Sequence, residues 1–286
     1  MCAAELKPRR RAQGRPTGAM APSPQYLDHL RRRRLTRWMV LGGRLLLLVA
    51  FLIAWEVFPR MHWVNPMLTS YPSALWPTFL SLFREGNLLR HIQATVVTTV
   101  IGFLAGMIIG TLVAVFLWWW NFFQRVLEPY LVVANAMPKI ALVPIFYIWL
   151  GDVLSIYAIA IAISVFVTIL MIYTGFQETD PNKIKLVRTF GATRWQVLRK
   201  VVLPGSVPTM IGALKVNVGL ALVGVIVGEF QSAKAGLGYL ILYGGQILQM
   251  NLVMTSVTIL AIISTVMYLG IYYLEAAVMR RRQWAR

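Results

Sequence analysis

IQATVVTTVIGFLAGMIIGTLVAVFLW, residues 92–118, contains no charged side chain and no proline. An α-helix needs about 20 apolar residues to cross the hydrocarbon core of a bilayer. Only helices and closed barrels satisfy every backbone N–H and C=O there, and this run lacks the alternation of a barrel strand. Working outward, five more segments have the same character: residues 38–58, 126–150, 153–173, 210–228 and 252–274. The expectation is an all-α membrane protein with six transmembrane helices, its membrane domain occupying residues 38–280. Composition agrees: 58% of the 286 residues are apolar and only 13% charged, whereas soluble domains carry about a quarter charged residues.

A formal charge of +18 would suggest nucleic acid as the partner of a soluble protein. Here Lys and Arg gather in residues 1–37, in residues 183–200, and at Arg280, Arg281 and Arg282. Cytoplasmic loops of membrane proteins collect these residues. With six spans all three clusters fall on one side, so both termini are expected in the cytoplasm and no nucleic-acid partner is implied. Membrane lipid is the expected surrounding. Residues 1–37, rich in Arg, Pro and Gly, read as a disordered basic tail, with Met20 as an alternative start to Met1. Residues 281–286 read as a short basic C-terminal tail. The first apolar run is too long for a signal-peptide core and reads as a retained span. Cys2 offers no internal disulfide.

Gly151 and Asp152 alone separate the third and fourth runs, which implies a tight outer hairpin. Gly102, Gly106 and Gly110 share one helix face, where small residues let a second helix approach closely. Packing within one chain is favoured over a seam between two copies.

Between the fourth and fifth runs lies DPNKIKLVRTFGATRWQVLRKVVLPGSVP, residues 180–208. Asp180 followed by Pro181 reads as an N-cap with proline at the first helical position. Gly191 supplies a left-handed residue after Phe190. Thr193 and Gln196 have capping-box spacing and start a second helix. Pro204 disfavours helical geometry at Leu203 and is expected to end that arm. The product is a basic helix–turn–helix hairpin. It lacks the supporting domain of a DNA-binding module, and a loop resting on anionic lipid is the other structural reading.

Gly191, Val201 and the Leu203–Pro204 pair resemble the second half of the cytoplasmic "EAA" loop of binding-protein-dependent ABC importer permeases. Where that family has its glutamate and alanines, this chain has Lys185, Leu186 and Val187. Tyr71–Pro72–Ser73, Met137–Pro138, Pro144, Trp149–Leu150–Gly151 and Ala235–Gly236–Leu237–Gly238–Tyr239–Leu240 are similar to the nitrate, taurine and aliphatic-sulfonate branch. The resemblance covers residues 63–280. It implies a type I ABC importer permease-like fold, and a coupling loop in which Lys185, Gly191, Arg194, Leu203 and Pro204 face an ATPase subunit. It also implies a permease dimer (a homodimer being the simplest form), two ABC ATPase subunits and an extracytoplasmic solute-binding protein. No G-x-x-x-x-G-K-[ST] loop occurs in the sequence, so ATP and Mg²⁺ are expected on the ATPase partner and no cofactor or metal in this chain.

Lys139 is the sharpest candidate for a transport pathway. A lysine deep in a span costs about 2.5–3.5 kcal/mol, so it should face water, a partner or the interface. Pro138 and Pro144 free backbone groups beside it, as in interrupted helices that line cavities. Asn135 lies one turn away, and Asn217 is a polar residue of the fifth span. Glu229, at the outer end of that span, reads as a gate residue or an interfacial charge, the latter favoured; Lys215 reads as snorkelling. A secondary transporter would need paired acids near the midplane, but Glu56, Glu128 and Asp152 lie near span ends. His29, His62 and His91 show no metal-ligand spacing, and no nucleophile–base pair suggests an enzyme. A thiamine-precursor pyrimidine is the main alternative to an anionic substrate.

Overall fold

A computed structural model describes residues 24–283 apart from 86 and 233. The first 23 residues of the tail expected over residues 1–37, the alternative start at Met20 among them, and the last three residues of the C-terminal tail lie outside the described residues. The chain divides into two compact units, residues 1–55 and 56–286.

Helix α1, Pro24–Arg60, begins well before the expected span at 38 and includes the basic residues read as tail. Its first unit carries exposed apolar side chains such as Leu46 and Leu47, with the Phe51 and Trp55 rings 6.0 Å apart.

The second unit holds the last turns of α1 and everything after it. Short α2, Pro66–Thr69, leads into α3, Pro72–Arg84. The cap residue Tyr71 makes no side-chain bond to α3; instead Glu56 accepts from the Ser73 N–H (3.0 Å) and hydroxyl (2.7 Å). Arg60 pairs with the same carboxylate at 2.6 Å. Helix α4, Asn87–Trp119, contains the charge-free run that sets the fold. Its glycines pack within the chain. A Cβ on Gly102 would meet that of Ala160 at 2.8 Å, one on Gly110 would meet Thr168 at 2.6 Å, and one on Gly106 would strike the Ser164 hydroxyl.

The third expected span does not form as one helix. Helix α5, Asn121–Ala136, stops where Met137 turns extended (ψ 140°) ahead of Pro138, as residues before proline do. A 3₁₀ turn, Lys139–Leu142, then leads into α6, Val143–Gln177, with Pro144 in its first turn. There the missing proline N–H costs nothing. Helix α6 is broken at Gly151 (φ 75°, ψ −172°), where the sequence places a turn. Lys139 sits over the Phe166 ring at 5.5 Å, and residues of α5 from Gln124 to Val132 adjoin residues 169–177 of α6. The segments on either side of Gly151 therefore run back along one another.

Helix α7, Pro181–Thr189, and the short α8, Arg194–Val197, form the expected hairpin. The second arm does not stop at Pro204. A π-helical turn, Leu198–Val202, joins α8 to α9, Leu203–Ser232. The Leu203 N–H reaches back to the Leu198 carbonyl, and Leu203 itself is α-helical. The wider turn makes room for the proline ring, so helix and proline coexist. Then come α10, Leu237–Gln246, and α11, Met250–Gln283, which carries the sixth expected run and continues through the basic residues after it.

Among the described residues, five helical stretches are long and apolar enough to cross a membrane: Trp38–Arg60, Asn87–Trp119, Lys139–Gln177, Arg194–Gln231 and Met250–Arg280. The most extensive packing is between α6 and α9, where a Cβ on Gly224 would lie 2.7 Å from the Ala160 Cα. One core joins Phe103, Met107 and Ala114 of α4 to Ile172 and Phe176 of α6. Val197, Leu198 and Val202 of the hairpin arm belong to that same core.

Candidate functional site

The hairpin is built from local chemistry. The Asp180 carboxylate accepts the Asn182 N–H at 2.9 Å and caps α7. Gly191 adopts φ +80°, a region that costs other L-residues about 1–2 kcal/mol. The Thr193 hydroxyl accepts the Gln196 N–H at 3.4 Å, and the Gln196 side chain accepts the Thr193 N–H at 2.8 Å. This reciprocal box satisfies two of the donors that a helix start leaves free. Arg194 donates to the Trp118 carbonyl at 3.4 Å and lies 5.7 Å from both the Trp118 and Trp119 rings. The hairpin is thereby tied to the end of α4 as well as rooted in the core. Lys185 is exposed on α7, whereas Leu203 and Pro204 lie inside the continuous α8–α9 rod.

The candidate pathway residues do not form one cluster. The Lys139 ammonium donates to the Asn135 carbonyl at 2.7 Å, bridging the break in the chain and matching the negative end of α5. Asn217 is fully buried, donating to the Ala213 carbonyl at 2.9 Å and lying 3.5 Å from the Met107 sulfur. It serves the packing of α4 against α9. Lys215 pairs with Glu275 of α11 and lies 5.7 Å from the Tyr272 ring centroid, a partner the sequence reading did not identify.

Glu229 is buried; only 2% of it is accessible. Its carboxylate accepts from the Thr95 hydroxyl (2.8 Å) and from the Gly238 N–H (2.7 Å). Thr95 in turn accepts the Leu237 N–H at 2.8 Å, and His91 Nδ1 accepts the Gly236 N–H at 3.0 Å. The free N–H groups at the start of α10 are thus satisfied by side chains of α4 and α9. His91 also stacks on Tyr239, with ring centroids 5.9 Å apart. Gly236 takes φ +129° and leaves room for the carboxylate. His91 and Thr95 were not expected here. The signal available was the Gly236-x-Gly238 pair, marking close backbone approach to a buried group.

The chain is 30% identical to the formylaminopyrimidine transport permease protein ThiX of Halalkalibacterium halodurans, over 68% of this chain and 77% of that one. It is 27% identical to a putative aliphatic sulfonates transport permease protein, SsuC, of Bacillus subtilis, over 76% and 80% of the two chains. With the taurine transport system permease protein TauC of Escherichia coli it shares 23% identity, over 80% and 85%. Among solved structures, a chain of the inward-facing MetNI methionine ABC transporter superposes with a TM-score of 0.60 at 21% identity. That match covers 67% of this chain and 95% of the other and establishes a shared fold. Residues 102–284 match the family described as binding-protein-dependent transport system inner membrane component. With its long apolar helices, the chain belongs to that family: it is a multi-pass inner-membrane permease of the ABC transporter type.

Proposed function

We propose that this chain is the membrane subunit of an ATP-driven importer for a small anionic solute of the sulfonate, taurine or nitrate kind. The observation that carries the importer reading is the hairpin of α7 and α8. It is capped at each start, turned at Gly191, and continuous with a helix long enough to cross the membrane. Such an element passes a push from outside the bilayer to the membrane interior. ATP with Mg²⁺ is bound by separate ATPase subunits that dock on the hairpin, and this chain is not itself a catalyst. A second copy of the chain and an extracytoplasmic solute-binding protein complete the assembly. The broken α5–α6 arm before Gly151 counts as one crossing and the remainder of α6 as the next. That gives six crossings with both termini in the cytoplasm, in keeping with the basic clusters.

The anionic substrate rests on Lys139, a cation at an interrupted helix, and on the sulfonate and taurine relatives. The similarity to a formylaminopyrimidine permease supports a second reading, a pyrimidine substrate. Uptake of labelled taurine, an alkanesulfonate, nitrate and an aminopyrimidine by cells with and without the gene decides between them. ATP depletion and collapse of the proton gradient are applied separately. ATP-dependent uptake of one anion is expected. Uptake that follows the proton gradient overturns the ATP-driven reading.

A further inference from the structure

Three consecutive N–H groups stand at the entry to α10, and a different side chain takes each. His91 Nδ1 accepts from Gly236 at 3.0 Å, the Thr95 hydroxyl from Leu237 at 2.8 Å, and the Glu229 carboxylate from Gly238 at 2.7 Å. These acceptors respond differently to a proton. A threonine hydroxyl does not titrate, and a protonated carboxyl group keeps acceptor capacity. A neutral imidazole has one acceptor nitrogen, whereas both nitrogens of an imidazolium donate. Protonated Nδ1 therefore sets an N–H against the Gly236 N–H. Gly236 is buried, and a buried donor without its acceptor is costly.

The ring is held in place by a stack. It lies 6° from the plane of Tyr239, and Tyr239 stacks in turn on Tyr243 with centroids 5.9 Å apart. His91 keeps 9% accessibility against none for Thr95, which leaves a proton a way in. Of the ionisable groups around it, Arg90 precedes it on α4 and is exposed. Helix α9 presents Glu229, whose carboxyl group lies against Gly236, and α10 presents Tyr239 with Tyr243 behind it. The turn carries Lys234, paired with Asp152 at 3.4 Å. Helix α3 closes on Arg84 and Glu85, both exposed, and α11 has no ionisable side chain before Tyr268.

We propose that His91 is a pH-sensitive latch on the turn between α9 and α10. Its neutral imidazole positions Gly236, and protonation releases that N–H and loosens the entry to α10. Thr95 and Glu229 keep their bonds, so the loss stays local. Imidazoles change charge between about pH 5 and 8. With the topology proposed above, the turn faces the outer medium, and the latch responds to the acidity there.

The test measures hydrogen exchange at residues 236–238 of the full-length chain in nanodiscs, as protection corrected for the intrinsic pH dependence of exchange. Protection is expected to fall about ten-fold between about pH 8 and about pH 5, while the amides of residues 102–110 keep theirs. His91→Asn places a non-titrating acceptor near the Nδ1 position and is expected to hold its protection across that range. His91→Ala is expected to be weakly protected throughout. If the unaltered chain shows no fall, the latch is overturned. If His91→Asn falls as steeply, the latch is also overturned and the response belongs to Glu229. If residues 102–110 lose protection in parallel, the response is acid unfolding and the latch fails. The topology is tested separately by labelling Lys234→Cys, with Cys2→Ser, using a membrane-impermeant maleimide outside spheroplasts. Labelling is expected; its absence overturns the topology and turns the latch toward the cytoplasm, leaving the exchange result to stand on its own.

Discussion

The carboxyl group of Glu229 fills the space that a side chain on Gly236 would need. A Cβ on Gly238 would likewise meet the Glu229 Cβ at 2.8 Å. The acid is thus enclosed by backbone as well as hydrogen-bonded to it. Gly236→Ala should therefore be destabilising twice over, through its φ of +129° and through the clash. A loss of at least about 2 kcal/mol is expected, read as a lowered midpoint of thermal unfolding in detergent.

Removing the acid itself should act from the other side. Glu229→Ala leaves the Gly238 N–H and the Thr95 hydroxyl without their acceptor, at a cost of about 1–3 kcal/mol. Glu229→Gln keeps one acceptor and should cost less. Hydrogen exchange of the amides of residues 236–238 should accelerate in the alanine variant and change least in the glutamine one.

The α4–α6 seam offers a paired test. Gly106→Ala places a methyl group against the Ser164 hydroxyl and should cost about 1–3 kcal/mol by overpacking. Ser164→Ala removes the obstructing atom. The double variant should recover much of the loss, and a double-mutant cycle on unfolding midpoints measures the coupling.

In the hairpin, stability and coupling should part company. Thr193→Ala removes one half of the capping box and should cost about 1 kcal/mol locally. Gly191→Val meets the steric penalty of positive φ at an exposed turn. Both proteins should insert normally, and Gly191→Val should lose uptake. Membrane fractionation together with an uptake assay separates the two effects.

Lys139→Met should raise the KM for an anionic substrate more than ten-fold, with Lys139→Arg retaining most uptake. An equal loss for charged and uncharged substrates would instead assign the ammonium to bridging the α5 break through the Asn135 carbonyl.

Whatever depended on near neighbours could be read from the sequence. Asp180, Gly191, Thr193 and Gln196 act within a few residues of themselves, and the structure places them as their spacing implies. Gly151 likewise breaks the helix where it stands. Pro138 was legible as an interruption, but not as the end of a continuous third span. Pro204 misled, because a proline can be absorbed by widening the preceding turn, and that choice is made by the packing of Val197, Leu198 and Val202. The burial of Glu229 was not legible, because its partners, Thr95 and Gly238, come from separate helices and only the tertiary fold brings them together. Glu275, one of the acids in the chain, became meaningful only opposite Lys215.

Because the π turn replaces a break with unbroken helix, residues Arg194–Gln231 form one rod of 38 residues, about 55 Å long at 1.5 Å per residue. An unbroken helix of that length carries a displacement as a beam does rather than as two struts with a joint. A tilt of about 10° about its middle sweeps each end through about 5 Å in opposite directions. A sideways nudge at Arg194 therefore arrives at the Glu229 end with comparable amplitude and reversed sense, and the start of α10 travels with it.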